Sequence, residues 1–213
     1  MDPQQHWRDV YTRKAEDQVS WYQPHAALSV AMLQQAGLLA DAAVLDVGGG
    51  ASTLVDDLWQ AGLRDLTVLD LAPEALAVAQ QRLRAQGLAA AAEAVHWLVA
   101  DITAVTLAGH RYDVWHDRAV FHFLTDPDQR ARYLAQVARA VRPGGLVLVA
   151  TFAEDGPEKG SGLEVCRYSA ADLHATFGDR YRLLSHERQT HATPWGAELH
   201  FTWCLCKLGA QQG

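Results

Sequence analysis

Between residues 43 and 152 the chain alternates short apolar runs with stretches of helical periodicity, a pattern that few folds accommodate. The apolar runs cover 43–47, 66–69, 95–99, 112–115 and 146–152. Runs this short, apolar throughout rather than alternating, suit strands buried on both faces. The stretches 53–60, 73–86 and 127–141 carry helical periodicity between them. Repeated strand–helix alternation predicts an α/β fold, with helices on both faces of a parallel sheet.

The two ends follow other rules. Asp2-Pro3 reads as a cap and first helical residue, opening a helix to about Lys14. A second helix is expected from about Pro24 to Gln35, stopping at Gly37. An aromatic connector, Val19-Ser20-Trp21-Tyr22-Gln23, joins them. Near the carboxyl end, Ser169 to Asp172 opens a short helix in the manner of a capping box. Two strands follow, 181–187 and 199–208, with no helix between them, so they are free to pair antiparallel. The alanines at 89–92 stand out only as a short alanine run.

The chemistry concentrates where strands end. Val44-Leu45-Asp46-Val47 runs into Gly48-Gly49-Gly50 and then a helix start. Glycines let backbone approach a ligand, and a helix start offers free N–H groups. A dinucleotide fingerprint would place its third glycine at position 53, which is Thr53, and an acid, Asp46, precedes the first. Both departures point away from NAD. Asp70 closes the second strand, twenty residues after Gly50, and Asp101 closes the third. A carboxylate in the first place suits a ribose diol, and one in the second suits an adenine amino group. Either alone would more often be a cap or turn residue. Three acids on three successive strand ends lie along the edge where open parallel sheets bind ligands.

With these residues in place, the chain resembles the class I S-adenosylmethionine-dependent methyltransferases over roughly residues 40–208. The motifs are Asp46-x-Gly48-x-Gly50, Asp70, Asp101, the stretch from Tyr112 to Asp117, and Arg142-Pro143-Gly144-Gly145. The resemblance implies an α/β, Rossmann-like three-layer fold, a mostly parallel seven-stranded sheet with an antiparallel C-terminal strand, and S-adenosyl-L-methionine as cofactor. It assigns the methionine end to Asp46, Gly48, Gly49 and Gly50, the ribose to Asp70 and Leu71, and the adenine to Asp101 and Ile102. Ser52 stands where many members carry a further glycine, and is expected to cap the next helix. Residues 1–40 are expected to form a helical lid and 41–213 the cofactor-binding domain. Trp21 and Tyr22 are its expected contacts with the cofactor, packing aromatics being the plainer reading.

A sulfonium is already an activated methyl donor, so catalysis reduces to placing a nucleophile and removing its proton. The candidates follow strand four, in the segment Trp115 to Leu124, expected as a loop without an Asn-Pro-Pro-Tyr-type tetrapeptide. His116 and His122 are candidate bases. Asp117 is a candidate to orient a base or to hold the cofactor's ammonium, the alternative being a salt bridge to Arg118. Asp117-Arg118-Ala119-Val120, with Thr151-Phe152 and Gly156-Pro157, is similar to thiopurine and other thiol methyltransferases. Trp7, Tyr11 and Ser20-Trp21-Tyr22 are also similar to a group of protein lysine methyltransferases. Aromatic residues near 21, 115, 121, 123 and 195 favour a closed pocket, and so a small thiol or other soft acceptor over a lysine; a non-catalytic S-adenosylmethionine-binding module is the remaining alternative. Arg167, Tyr168 and Trp195 are further candidates for the acceptor pocket, with surface loops as the alternative.

Composition narrows the partners. Eighteen basic against twenty-five acidic residues, net −7, argue against a protein that neutralises phosphates, so no nucleic-acid partner is expected. Three cysteines without a spaced framework fit a reducing compartment. The opening residues lack a secretory pattern and no 18-residue uncharged apolar run occurs, so a cytoplasmic protein without membrane contact is expected. His200, Thr202, Cys204 and Cys206 share a strand face, but residues two apart are about 6.6 Å apart along a strand, too spread for one zinc. No metal is expected. Oligomeric state is open.

Overall fold

The structure, a computed structural model, describes residues 2–210. Helix α1 (Pro3–Arg13) begins with Asp2 accepting from the Gln4 N–H and Pro3 at a position that needs no N–H donor. A single 3-10 turn, Glu16–Gln18, leads toward α2 (Ala27–Gln35). This helix starts later than its sequence suggests, because its cap comes from elsewhere: Asp57 accepts from the Ala26 N–H at 2.7 Å.

The alternating region then runs β1 (Ala43–Val47), α3 (Leu54–Gln60), β2 (Asp65–Asp70), α4 (Pro73–Ala85), α5 (Ala89–Ala94) and β3 (His96–Val99). It continues through β4 (Tyr112–Arg118), α6 (Pro127–Ala140) and β5 (Val141–Phe152). The alanine run has no apolar periodicity, yet it forms α5, since alanine has the highest helix propensity and Ala91 and Ala92 are buried. A small ribbon, β6 (Lys159–Gly160) with β7 (Leu163–Glu164), precedes α7 (Ala170–Phe177), β8 (Tyr181–Ala192) and β9 (Glu198–Leu208). The Ser169 side chain caps α7 by accepting from the Asp172 N–H.

The main sheet has seven strands in the order β3-β2-β1-β4-β5-β9-β8. Only β9 runs against the others, pairing antiparallel with β5 and β8. The chain winds outward one way through β2 and β3 and the other way through β4 and β5. The order therefore reverses between β1 and β4, and ligands of open α/β sheets sit at such a reversal.

Strand alternation divides the core into two layers. Val44, Val68, Val114 and Leu148 meet Leu33, Leu54, Leu58 and Leu83 on one face. Leu45, Val47, Trp115 and Val149 meet Tyr133, Val137 and Leu173 on the other. Each fully buried leucine contributes about 1.5–3 kcal/mol. Helix α2, expected within the lid, belongs to the first layer through Met32 and Leu33. Only the segment before it extends over the carboxyl edge of the sheet. Among the described residues, no helix is long and apolar enough to cross a membrane.

Candidate active site

A cavity of about 390 Å³ opens at that edge, walled by the ends of β1 to β5 and by the amino-terminal segment. This volume falls in the usual range for small-ligand sites, about 300–1,000 Å³. Asp46, Asp70 and Asp101 all reach it, as do Leu71 and Ile102. Asp70 Oδ1 accepts from the Ala72 N–H at 2.8 Å. Burial, with Asp46 nearby, pushes its pKa up to about 7. Asp101 Oδ1 holds the next turn by accepting from the Thr103 N–H and hydroxyl.

The glycine turn is shaped by protein as much as by open space. Gly48 has φ +63° and Gly50 φ +30°, conformations that L side chains rarely adopt. A Cβ at Gly48 would stand 2.0 Å from Val120 Cγ2, and one at Gly50 would stand 2.5 Å from Asp70 Oδ2. Gly48 and Gly49 line the cavity, whereas Gly50 lies behind the wall and makes room for Asp70. Packing against Asp70 thus accounts for glycine at this position. Ser52 Oγ accepts from the Leu54 N–H at 3.2 Å, but the N-cap of α3 is Thr53, whose side chain makes no capping bond, so Ser52 is not the cap its sequence position suggested.

Strand β4 extends three residues past its apolar run, so His116, Asp117 and Arg118 are strand residues and not loop residues. Period-two alternation then separates them. His116 turns toward the cavity side, buried, with Nδ1 donating to Asp46 Oδ1 at 2.7 Å and Nε2 accepting from Ser29 Oγ at 2.9 Å. Both ring nitrogens are engaged by protein, so the expected role as a free base does not fit this geometry. Asp117 points the other way and is absent from the cavity wall. Its carboxylate is fully buried and accepts from the Val120 N–H, the Phe121 N–H and the Tyr133 hydroxyl. Burial pushes its pKa up to about 6. In place of the expected catalytic or ammonium contact, Asp117 anchors the turn at Ala119, where φ is +73°. That turn seats Val120 on Gly48. It makes no salt bridge with Arg118, which lies on the opposite face.

Arg118 is the residue that sequence reasoning undervalued. Its Nη1 donates to the Trp21 carbonyl at 2.9 Å, and its guanidinium carbon sits 4.7 Å from the Phe201 ring centroid. Nε and Nη2 are shielded from solvent and have no partner. Extending the period-two alternation of β4 by three residues would have placed it in the cavity. His122 lies on the same wall. Its Nδ1 accepts from the Phe152 N–H at 3.1 Å, which leaves the proton on Nε2, an atom without a partner. Burial, reinforced by Arg118, lowers its pKa to about 3. At neutral pH His122 is therefore a neutral donor and not a base.

Trp7, Tyr11, Trp21 and Tyr22 roof the cavity. Trp7 meets Trp21 edge-on with centroids 5.7 Å apart, and Phe123 at 5.2 Å. Burial and the charge of Asp70 raise the Tyr11 pKa. Polar ties hold this segment down: Gln4 donates to the Leu71 carbonyl, Arg8 pairs with Glu74, and Glu16 pairs with Arg82 at 2.6 Å. Arg82 also holds the Ala51 and Ser52 carbonyls and Asp56. Several expected aromatics lie elsewhere. Trp115 and Phe121 pack on Tyr133 in the core, Tyr168 packs on Phe121, and Trp195 is 60% exposed in the turn between β8 and β9. Arg167 ties Gly156 and Glu158, away from the wall. Phe152 and Phe201 supply the apolar surface instead.

The sequence and the fold have counterparts among known proteins. Residues 44–145 match the family model described as a methyltransferase domain. Over 137 residues the chain is 34% identical to the malonyl-(acyl-carrier protein) O-methyltransferase of Pseudescherichia vulneris, covering 62% of this chain and 49% of that protein. The chain spans about half the length of this curated relative. A solved structure from work on converting a disulfide bond into a thioacetal group during echinomycin biosynthesis superposes with TM-score 0.76 at 22% identity, over 98% of this chain and 94% of that one. The N-methyltransferase NodS of Bradyrhizobium japonicum WM9, solved with S-adenosyl-L-homocysteine, gives TM-score 0.71 at 14% identity, over 98% and 100%. The fold is thus the Rossmann-like fold of these proteins.

Proposed function

We propose that this chain is an S-adenosylmethionine-dependent methyltransferase acting on a small molecule, with a thiol or other soft heteroatom as the methylated atom. One observation carries the reading: three acids, Asp46, Asp70 and Asp101, converge on a single cavity beside a glycine turn at the reversal of strand order. The residues present fit the cofactor. Asp46 Oδ2 is buried beside the turn without a partner, ready to accept from an ammonium group. Asp70 is placed to accept from ribose hydroxyls, and Asp101 with Ile102 to edge an adenine. S-adenosylmethionine, when bound, supplies a methyl group activated by its sulfonium.

The protein's own part is placement and exclusion of water. Residues 3–23 act as the lid, with Trp21 and Tyr22 facing the cofactor. With His116 tied to Asp46 and Ser29, and His122 unable to take a proton near neutral pH, neither histidine serves as general base. An acceptor that ionises by itself suits such a site. A thiol does so, with an ordinary pKa of about 8.5. A lysine ammonium would need its proton removed and would meet the Arg118 cation, which weighs against a protein lysine acceptor.

The test is a screen of thiols, amines and a protein extract with labelled methyl donor, alongside calorimetry with S-adenosylhomocysteine and with NAD. The expected result is binding of S-adenosylhomocysteine alone and labelling of small thiols. Tight NAD binding with no S-adenosylhomocysteine binding would overturn the cofactor. Labelled protein lysines with unlabelled thiols would overturn the acceptor.

A further inference from the structure

We propose that Arg118 and His122 form an anion subsite in the acceptor half of the cavity, so that the acceptor carries a negatively charged oxygen, a carboxylate or an ionised phenol or enol. The inference rests on the methyltransferase reading for the word acceptor, but the subsite itself rests on geometry. Arg118 Nε and Nη2 form one edge of a planar guanidinium, and both lack a partner while shielded from solvent. The third nitrogen is fixed on the Trp21 carbonyl and the plane sits by Phe201, so the edge cannot swing away to water. A guanidinium edge of this kind matches the two oxygens of a carboxylate.

Every acidic side chain of the cavity wall has other business. Glu16 is held by Arg82, Glu164 by Lys159, Asp46 by His116, Asp70 by the Ala72 N–H and Asp101 by Thr103. None is paired with Arg118. A buried cation without a counter-charge is costly to a fold and is retained where a ligand supplies the charge. His122 adds a second donor of fixed identity. The Phe152 N–H occupies Nδ1, so the neutral ring presents only Nε2–H, which suits an oxygen acceptor and repels none. Phe123, Phe152 and Phe201 enclose the subsite, so an aromatic or otherwise apolar acid fits better than a highly hydrated one.

A carboxylate also occurs on the methionine end of the proposed cofactor, and the test separates these two sources. Calorimetry would measure S-adenosylhomocysteine, then benzoate, 2-(methylthio)benzoate and their uncharged counterparts benzamide and thioanisole, with and without saturating S-adenosylhomocysteine. The wild-type protein is expected to prefer each acid over its neutral counterpart by about tenfold or more. R118M is expected to abolish that preference, while S-adenosylhomocysteine affinity falls by a smaller factor through loss of the Trp21 tie. R118K, which keeps the charge but not the fork, should retain part of it, and covers the case in which R118M does not fold. H122F should reduce it by a smaller factor. Equal binding of acids and neutral counterparts to the wild type would overturn the subsite. So would an R118M or R118K protein that keeps the preference but loses S-adenosylhomocysteine, which would assign Arg118 to the cofactor. Failure of the wild type to bind S-adenosylhomocysteine, with the acid preference intact, would overturn the methyltransferase reading and leave the anion subsite standing.

Discussion

Asp46 and His116 face each other in register across β1 and β4, with Oδ1 and Nδ1 2.7 Å apart, and Ser29 closes the chain from α2. The three residues orient Asp46 so that its free oxygen stays beside the glycine turn. His116 is accordingly a positioning residue. H116N is expected to weaken S-adenosylhomocysteine binding and to lower stability by about 1–3 kcal/mol, since it strands a buried carboxylate. Turnover at saturating cofactor should fall by a smaller factor than affinity. A fall in kcat with unchanged affinity would instead make His116 part of the chemistry.

Much of this arrangement was legible from sequence, for reasons that differ residue by residue. β1 and its glycine turn show because an apolar run ends in residues with one conformational purpose. β4 shows only in part, because His116, Asp117 and Arg118 break the apolar run. Their hydrogen-bond partners lie far along the chain: Ser29 and Asp46 for His116, Tyr133 for Asp117, Trp21 for one nitrogen of Arg118. No local pattern encodes such partners. Trp115 and Phe121 were indistinguishable by type from cavity aromatics, and only strand alternation and the α6 contact send them into the core. The lid's aromatics were visible, whereas its fastening to Arg82 joins residues 66 apart.

Asp117 is expected to govern stability more than chemistry. D117A leaves the Val120 and Phe121 N–H groups and the Tyr133 hydroxyl without an acceptor, and should cost about 3 kcal/mol or more in a denaturant titration. D117N keeps one acceptor oxygen and should cost less. A D117N protein that is as stable as wild type but has no turnover would return Asp117 to the chemistry.

Asp70 makes cofactor binding pH-dependent. Its pKa of about 7 in the free protein lies above the ordinary 3.8, and ribose hydroxyls bind the ionised form. Affinity should therefore rise with pH through 7, by about tenfold between pH 6 and pH 8, with proton release on binding. The same shift acts oppositely on folding. The native state holds a proton that the unfolded chain gives up near pH 4, so this group lowers stability progressively as pH rises from about 4 to about 7. D70N should flatten both dependences and weaken binding at pH 8. Calorimetry in buffers of different ionisation enthalpy reads the proton directly, and flat affinity in the wild type would remove Asp70 from the cofactor site.

Gly48 and Gly37 have similar positive φ values, +63° and +87°, but different surroundings. A methyl at Gly37 meets nothing within 4 Å, so G37A carries only the backbone cost, about 1 kcal/mol. G48A adds a collision with Val120 and should cost about 2–5 kcal/mol. Truncating Val120 removes the collision but not the backbone strain, so G48A/V120A should be more stable than additivity of the single variants allows. Additive melting data would show that Val120 does not press on the turn.

Arg82 joins the lid to the cavity floor, and two variants separate those tasks. R82M strands Asp56, which is buried, and should destabilise the whole fold by about 3–5 kcal/mol. E16Q removes only the lid's charge from a partly exposed pair, and should change stability by less than about 1 kcal/mol. Its effect belongs to the lid. Protease cleavage around the 3-10 turn should accelerate, and S-adenosylhomocysteine should dissociate several times faster at similar association rate, because a weaker latch shortens residence. An E16Q protein with wild-type dissociation and wild-type cleavage would mean that the aromatic contacts of Trp7 and Trp21 hold the lid without help from Arg82.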